Sequence, residues 1–276
     1  MIRDSHFPAG ETVPALGQGT WMMERDKRPE AMAALRLGVD LGMTLIDTAE
    51  MYGDGRVETL VAEAIADIRE RVFLVSKVYP QNSTRSGVAK ACERSLKRLG
   101  TDRLDLYLLH WRGSVPLAET LAGFEDLKRA GKIRHWGVSN FDTTDMEELF
   151  SVDGGKACQT NQILYNLSRR GPEFDLSRWQ ETHGVPVMAY SPFEQGRMKT
   201  TGVLNDIGRK HGATGYQVAL AWLLQKPNTI VIPKSANADH VRENRAAAEI
   251  TLSTADLDAL DGTYRPPRRK SSLDMI

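Results

Sequence analysis

Thr44-Leu45-Ile46-Asp47-Thr48-Ala49-Glu50-Met51-Tyr52 opens on a short β-rich apolar run and passes straight into a loop carrying Asp47 and Tyr52. An open sheet that binds a dinucleotide usually shows GxGxxG at this place, and none follows Ile46. Working outward, similar runs recur at Val72–Ser76, Leu104–Leu109, His135–Ser139, Thr160–Gln162, Val187–Tyr190 and Thr229–Ile232, with a weaker eighth run near Ala248–Leu252. Between them lie stretches with apolar residues three and four apart: Pro29–Leu41, Thr59–Ile68, Val88–Leu99, Pro116–Ala130, Thr144–Phe150 and Tyr216–Leu224. Strands alternating with helices predict a parallel sheet, and runs without polar alternation predict strands covered on both faces. Eight such units favour a closed (β/α)8 TIM barrel over a doubly wound sheet.

Pro8-Ala9-Gly10 reads as the turn of a short N-terminal hairpin that would close the barrel bottom, and Ser253 with Asp256 reads as a capping box before the last helix. No linker, repeat or low-complexity tract interrupts the chain, so residues 1–276 are expected to form one domain. Lys plus Arg equals Asp plus Glu at 36 each, which argues against nucleic acid or an anionic membrane as the main partner. Cys92 and Cys158 are far apart and outside any CxxC, as expected of reduced thiols in a cytoplasmic protein. The N-terminal residues lack the apolar stretch of a signal peptide, and no apolar run is long enough to span a bilayer. No hydrophobic seam demands assembly, so a monomer is expected.

In a barrel of this kind chemistry sits at the C-terminal ends of the strands. Asp47 and Tyr52 follow the first predicted strand, Lys77 the second, and His110 with Trp111 the third. Singly, each has an ordinary reading: a turn cap, a packed loop aromatic, a solvated strand-end charge, a structural histidine. Together they fall at one mouth. A free phenol titrates near ~10, and an adjacent cation lowers that value. Lys77 can supply the cation, Asp47 can hold Lys77, and His110 can orient a carbonyl, an assembly suited to proton transfer coupled to hydride transfer. No Gly-x-Ser-x-Gly elbow occurs, and the six dispersed histidines form no metal-ligand spacing, so no metal is expected.

From Pro14-Ala15-Leu16-Gly17-Gln18-Gly19-Thr20-Trp21 to the final helix, the sequence resembles the aldo/keto reductase family. Leu45–Tyr52, Val75-Ser76-Lys77 and Leu109-His110-Trp111 resemble the segments carrying that family's catalytic residues. The resemblance implies Tyr52 as general acid, Lys77 as the neighbour that lowers its pKa, Asp47 as the lysine's partner and His110 as the group that orients the carbonyl. It also implies an NADPH/NADP site. Ser139, Asn140 and Gln162 would hold the nicotinamide carboxamide, Tyr190 would stack under its ring, and Ser191 with backbone near Phe193 would meet the pyrophosphate. Gly19, Thr20, Trp21 and Asp47 would border the cofactor. Ile232-Pro233-Lys234-Ser235 and Arg242-Glu243-Asn244 resemble the adenosine-phosphate signature. Lys234 and Ser235 would bind the 2′-phosphate, and Glu243 and Asn244 the adenine.

Two departures stand out. His240 occupies a position where many members have Arg; neutral His is a weaker phosphate partner, so NADH is expected as a less preferred alternative. The loop from Pro192 to Val203 is brief, which predicts an open cofactor groove with fast exchange. Trp21, Met51, Tyr79 and Trp111 are expected to wall an apolar pocket for small aldehydes and ketones. The pattern is most similar to bacterial members that reduce methylglyoxal. Two other readings stay open: a barrel enzyme using Lys77 as a Schiff base, and a relative that binds NADPH as a sensor without turnover.

Overall fold

The computed structural model describes residues 2–200 and 202–276. Met1, in the N-terminal stretch inspected for a signal peptide, and Thr201, in the loop after Pro192, lie outside the described residues.

The chain opens with a hairpin, β1 (Asp4–His6) paired antiparallel with β2 (Thr12–Pro14). Eight parallel strands follow in sequence order around one sheet: β3 (Gln18–Gly19), β4 (Leu45–Asp47), β5 (Phe73–Val78), β6 (Leu104–Leu109), β7 (Ile133–Ser139), β8 (Asn161–Leu164), β9 (Val187–Tyr190) and β10 (Thr229–Ile232). Parallel bridges Leu16↔Val231 and Gly19↔Lys234 join the two ends and close the barrel. Gly19 belongs at that seam because a Cβ there would stand 2.7 Å from the carbonyl oxygen of Ile232.

Helices α1 (Arg28–Asp40), α2 (Arg56–Ile65), α3 (Arg85–Leu99), α4 (Leu117–Arg129), α5 (Thr143–Ser151) and α6 (Leu176–Thr182) follow the first six barrel strands in turn. The seventh is followed by α7 (Val203–His211) and α8 (Gly215–Leu224), the eighth by α9 (Ala238–Ala247) and the terminal α10 (Thr254–Thr263). Helix ends are chemically marked. Thr84 caps α3, whose last turn stops at left-handed Gly100, and capping boxes start α5 (Asp142/Asp145), α8 (Thr214/Gln217) and α10 (Ser253/Asp256). The outer ring closes where α1 packs on α9.

The barrel strands separate two cores. Leu45, Val75, Leu106, Leu108, Met188 and Ile230 fill the interior, plugged from below by Phe7 and Val13 of the hairpin. The Phe7 ring lies 5.7 Å from that of Phe73, so the hairpin closes the barrel bottom as the sequence predicts. Ile46, Leu74, Tyr107, Leu109, Val138, Ile163, Ala189 and Val231 point outward beneath the helices. Strand side chains alternate between faces, so this parity decides what reaches the mouth.

One sequence expectation is corrected. The eighth strand is Gln18–Gly19, not Ala248–Leu252. The latter segment leaves α9 and packs at the end of α8, where the Leu252 amide donates to Gln225 Oε1 at 2.8 Å. Both edges of β10 are already taken by β9 and by residues 15–19, so no edge is left for it. A two-residue polar strand carries no periodic signal of its own. Helices α2 and α3 also start three residues before the periodic stretches, at Arg56 and Arg85, because a helix's apolar stripe need not begin in its first turn. Cys92 and Cys158 are free and buried, and burial pushes both thiols up to about 12, as suits inert core residues.

Candidate active site

Inward parity runs on past the hydrophobic interior. Leu45 leads to Asp47, Val75 to Lys77, Leu108 to His110 and Met188 to Tyr190, each pair two residues apart. Ser139 and Gln162 take the same orientation opposite outward Val138 and Ile163. Six polar side chains from six strands thus replace the apolar filling at the C-terminal mouth. Tyr52 joins them from the loop after β4.

Lys77 Nζ is fully enclosed and has three hydrogen-bond partners, one for each of its protons. It donates to Asp47 Oδ2 at 2.8 Å, to the Thr48 carbonyl at 2.9 Å and to the Tyr52 hydroxyl oxygen at 3.0 Å. Burial pushes the Asp47 carboxyl up and the Lys77 ammonium down, and the mutual attraction of the pair opposes both shifts. Thr20 Oγ1 donates to the Asp47 carbonyl at 2.8 Å, tying β3 to the site. An ammonium with every proton engaged and no exposure is a poor amine nucleophile, which weighs against a Schiff base at Lys77.

The phenol departs from expectation. Burial first, and then the negative charge of Asp47, hold Tyr52 well above the ordinary phenol range, whereas the sequence predicted that Lys77 would lower it. Enclosure outweighs the neighbouring ammonium because Asp47 largely balances that charge. Lys77 donates into the phenol oxygen, so the phenol's own hydrogen is free to point elsewhere. His110 is held neutral, pushed well below 6.5 by burial and by the charge of Lys77. Its ring lies 6.0 Å from Tyr52, and its buried Nδ1 has no partner among the described residues.

A second polar chain runs around the same mouth. Ser139 Oγ donates to the Gln162 carbonyl at 2.8 Å, and Asn140 Nδ2 to the His110 carbonyl at 3.0 Å. The Tyr190 hydroxyl donates to Asn140 Oδ1 at 2.9 Å, which fixes the Tyr190 ring at the rim. Asn140 adopts a left-handed backbone (φ 58°), as do Ser191 (φ 51°), Glu194 (φ 52°) and Gln195 (φ 56°) in the loop after β9. Non-glycine residues rarely take that conformation, and they cluster where backbone must be presented to something.

These groups line one cavity of about 630 Å³. From the sequence-derived set it gathers Gly19, Thr20, Trp21, Asp47, Met51, Tyr52, His110, Trp111, Ser139, Asn140, Gln162, Tyr190, Ser191, Phe193 and Lys234. Lys77 stands behind this wall. Tyr79 also stands back, stacked on His110 (6.3 Å) and edge-on to Trp111 (5.7 Å). Ser235, His240, Glu243 and Asn244 lie beyond the cavity on the approach to α9 and on α9 itself.

Sequence reasoning missed Met22, Gln195, Gly196, Met275 and Ile276, all lining residues. They sit on loops and on the tail, where no periodicity signals direction. The tail is held by Arg169, which pairs with both Asp274 and Glu194, and by Lys270 on Asp175 at 2.9 Å.

A closed barrel with this mouth is the architecture of a barrel oxidoreductase. The chain belongs to the aldo/keto reductase family, whose model matches residues 15–265. It is 50% identical to methylglyoxal reductase YeaE of Escherichia coli (strain K12) over 98% of each chain. It is 32% identical to glyoxal reductase of Bacillus subtilis (strain 168), over 94% of this chain and 92% of that one. Among solved structures it resembles an aldo/keto reductase from Klebsiella pneumoniae in complex with NADP and acetate, with TM-score 0.97, 47% identity and full coverage of both chains.

Proposed function

We propose that this protein reduces small aldehydes and ketones, methylglyoxal among them, to alcohols with NADPH. The observation that carries the reading is the 3.0 Å contact between enclosed Lys77 and Tyr52 on the wall of the cavity.

The residues present suit the cofactor. Ser139, Asn140 and Gln162 offer donors and acceptors beside the Tyr190 ring, which suits an amide-bearing aromatic ring laid on the tyrosine. The left-handed backbone at Ser191, Glu194 and Gln195 borders the stretch where a pyrophosphate would run, and Lys234 supplies a cation at the far end of the cavity. When bound, the cofactor supplies hydride to the carbonyl carbon.

The chain's own part is the proton. Tyr52 is protonated at neutral pH, as any phenol of ordinary or raised pKa is, which is the state a proton donor needs. As the carbonyl oxygen gains charge, the phenol proton moves to it. The hydrogen bond from Lys77 then stabilises the phenolate left behind, in a site shielded from water. Neutral His110 can donate from one ring nitrogen to the same oxygen and set the carbonyl's direction. Trp21, Met51 and Trp111 give the apolar wall suited to uncharged substrates.

The reading extends to a cytoplasmic, monomeric, single-domain enzyme without a nucleic acid or membrane partner. Among the described residues no helix is long and apolar enough to cross a membrane. Pure protein incubated with NADPH and methylglyoxal should consume the nicotinamide absorbance. Binding of NADPH without consumption across a broad aldehyde panel would support the sensor reading instead.

A further inference from the structure

Lys234 is not free in this structure: its ammonium is paired with the carboxylate of Asp26. The two residues come from opposite ends of the chain. Asp26 ends the 3-10 turn Met23–Arg25 after β3, its amide bonded to the Met23 carbonyl at 3.2 Å. Lys234 follows β10 and lines the cavity. Neighbouring cations are engaged elsewhere, Lys27 with Glu30 at 3.0 Å and Arg28, at the start of α1, with Glu63 at 2.7 Å. Ser235, the second expected phosphate ligand, is also engaged locally: its hydroxyl donates to the Asn237 carbonyl at 3.2 Å and accepts from the Asn237 amide at 3.0 Å.

We propose that Asp26 is a specificity-determining residue for the adenosine end of the cofactor, weakening the preference for a 2′-phosphate over a 2′-hydroxyl. This rests on the reading of Lys234 as the cation that meets the 2′-phosphate. A phosphate monoester carries about −1.5 to −2 charge at pH 7. To reach Lys234 it must displace a carboxylate or approach beside one, and like charges a few ångströms apart repel. A ribose 2′-hydroxyl meets no such opposition. It is neutral and can donate a hydrogen bond to a carboxylate, the contact an acidic residue makes with NAD in dinucleotide-binding sheets. Asp26 therefore acts against the dianion and not against the alcohol. Both side chains are about 30% exposed, so water moderates the effect without abolishing it.

The test is titration calorimetry of wild type and Asp26→Asn with NADPH, NADH, 2′,5′-ADP and 5′-AMP, the last pair carrying or lacking the 2′-phosphate without the nicotinamide. Asp26→Asn keeps size and shape at a partly exposed site, and its melting curve checks folding. We expect NADPH and 2′,5′-ADP to tighten about 10-fold, equivalent to about 1.4 kcal/mol, while NADH and 5′-AMP tighten less than about 2-fold or weaken. An unchanged NADPH-to-NADH ratio would overturn the proposal. So would weaker NADPH binding, because Asp26 would then be holding Lys234 in position for the phosphate. Lys234→Met separates the two ideas. If it leaves NADPH affinity intact, the reading of Lys234 fails; if it weakens NADPH while Asp26→Asn changes no ratio, only the role of Asp26 fails.

Discussion

Gln162 donates from Nε2 to Asp47 Oδ1 at 2.8 Å, joining residues 115 apart in the chain across the barrel mouth. The other carboxylate oxygen receives Lys77 at 2.8 Å, so Asp47 is held from both sides. Nicotinamide recognition and proton transfer, if assigned as proposed, therefore share one buried carboxylate. The Gln162 amide nitrogen is occupied, which leaves its carbonyl oxygen as the atom able to accept from a carboxamide.

Tyr52→Phe removes the proton donor while keeping the ring that packs 4.9 Å from Trp21. Turnover should fall about 10²–10⁴-fold, the range of a lost general acid. NADPH affinity by fluorescence titration should stay within about 2-fold, because the hydroxyl is assigned to substrate. A near-normal rate in this variant would refute the assignment of the proton donor.

Lys77→Met should abolish turnover and also cost stability. It strands Asp47 as a buried charge with only neutral donors, a loss of about 3–5 kcal/mol for a broken buried pair. Lys77→Met with Asp47→Asn should recover a good part of that stability without recovering activity. Urea denaturation of both variants tests the coupling; equal losses in the two would show that the ion pair does not carry the effect.

His110 sets a direction for acid sensitivity. Its folded pKa lies well below 6.5, so between that value and about 6.5 the unfolded chain binds more protons than the folded one. Stability must then fall as pH drops through about 6.5 and level off only below the folded pKa. Between pH 7.5 and 5.5 the unfolding free energy should drop further in wild type than in His110→Gln, and an equal drop in the two would rule His110 out as the responsible group. The same depression predicts that kcat shows no histidine titration at the ordinary value near 6.5.

Gly38→Ala offers a packing test. In a helix interior this change normally stabilises by up to about 1 kcal/mol. Here the new Cβ would lie 2.0 Å from Gln18 Oε1. Gln18 is anchored by Nε2 bonds to the carbonyls of Leu35 and Met43, both at 3.0 Å. We expect destabilisation of about 1–3 kcal/mol, the cost of overpacking a tight interior. A rise in melting temperature would contradict the packing of α1 against β3.

Several features were legible in the chain alone. Apolar runs alternating with amphipathic stretches specified the parallel strands, because burial on both faces demands continuous hydrophobicity. Asp47, Lys77 and His110 could be picked out because each lies just beyond such a run, and strand parity carries a side chain to a known face; Ser139, Gln162 and Tyr190 end their runs and are legible through the family resemblance of their segments. Capping residues such as Ser253 marked a helix start by local hydrogen bonding. Only the tertiary structure decided that Gln18–Gly19 closes the barrel, since two residues have no pattern and their pairing depends on partners on both flanking strands. It alone set the direction of the Tyr52 shift, which depends on enclosure by groups remote in sequence. The pairing of Asp26 with Lys234 is of the same kind, a contact between loops 208 residues apart that no local rule specifies.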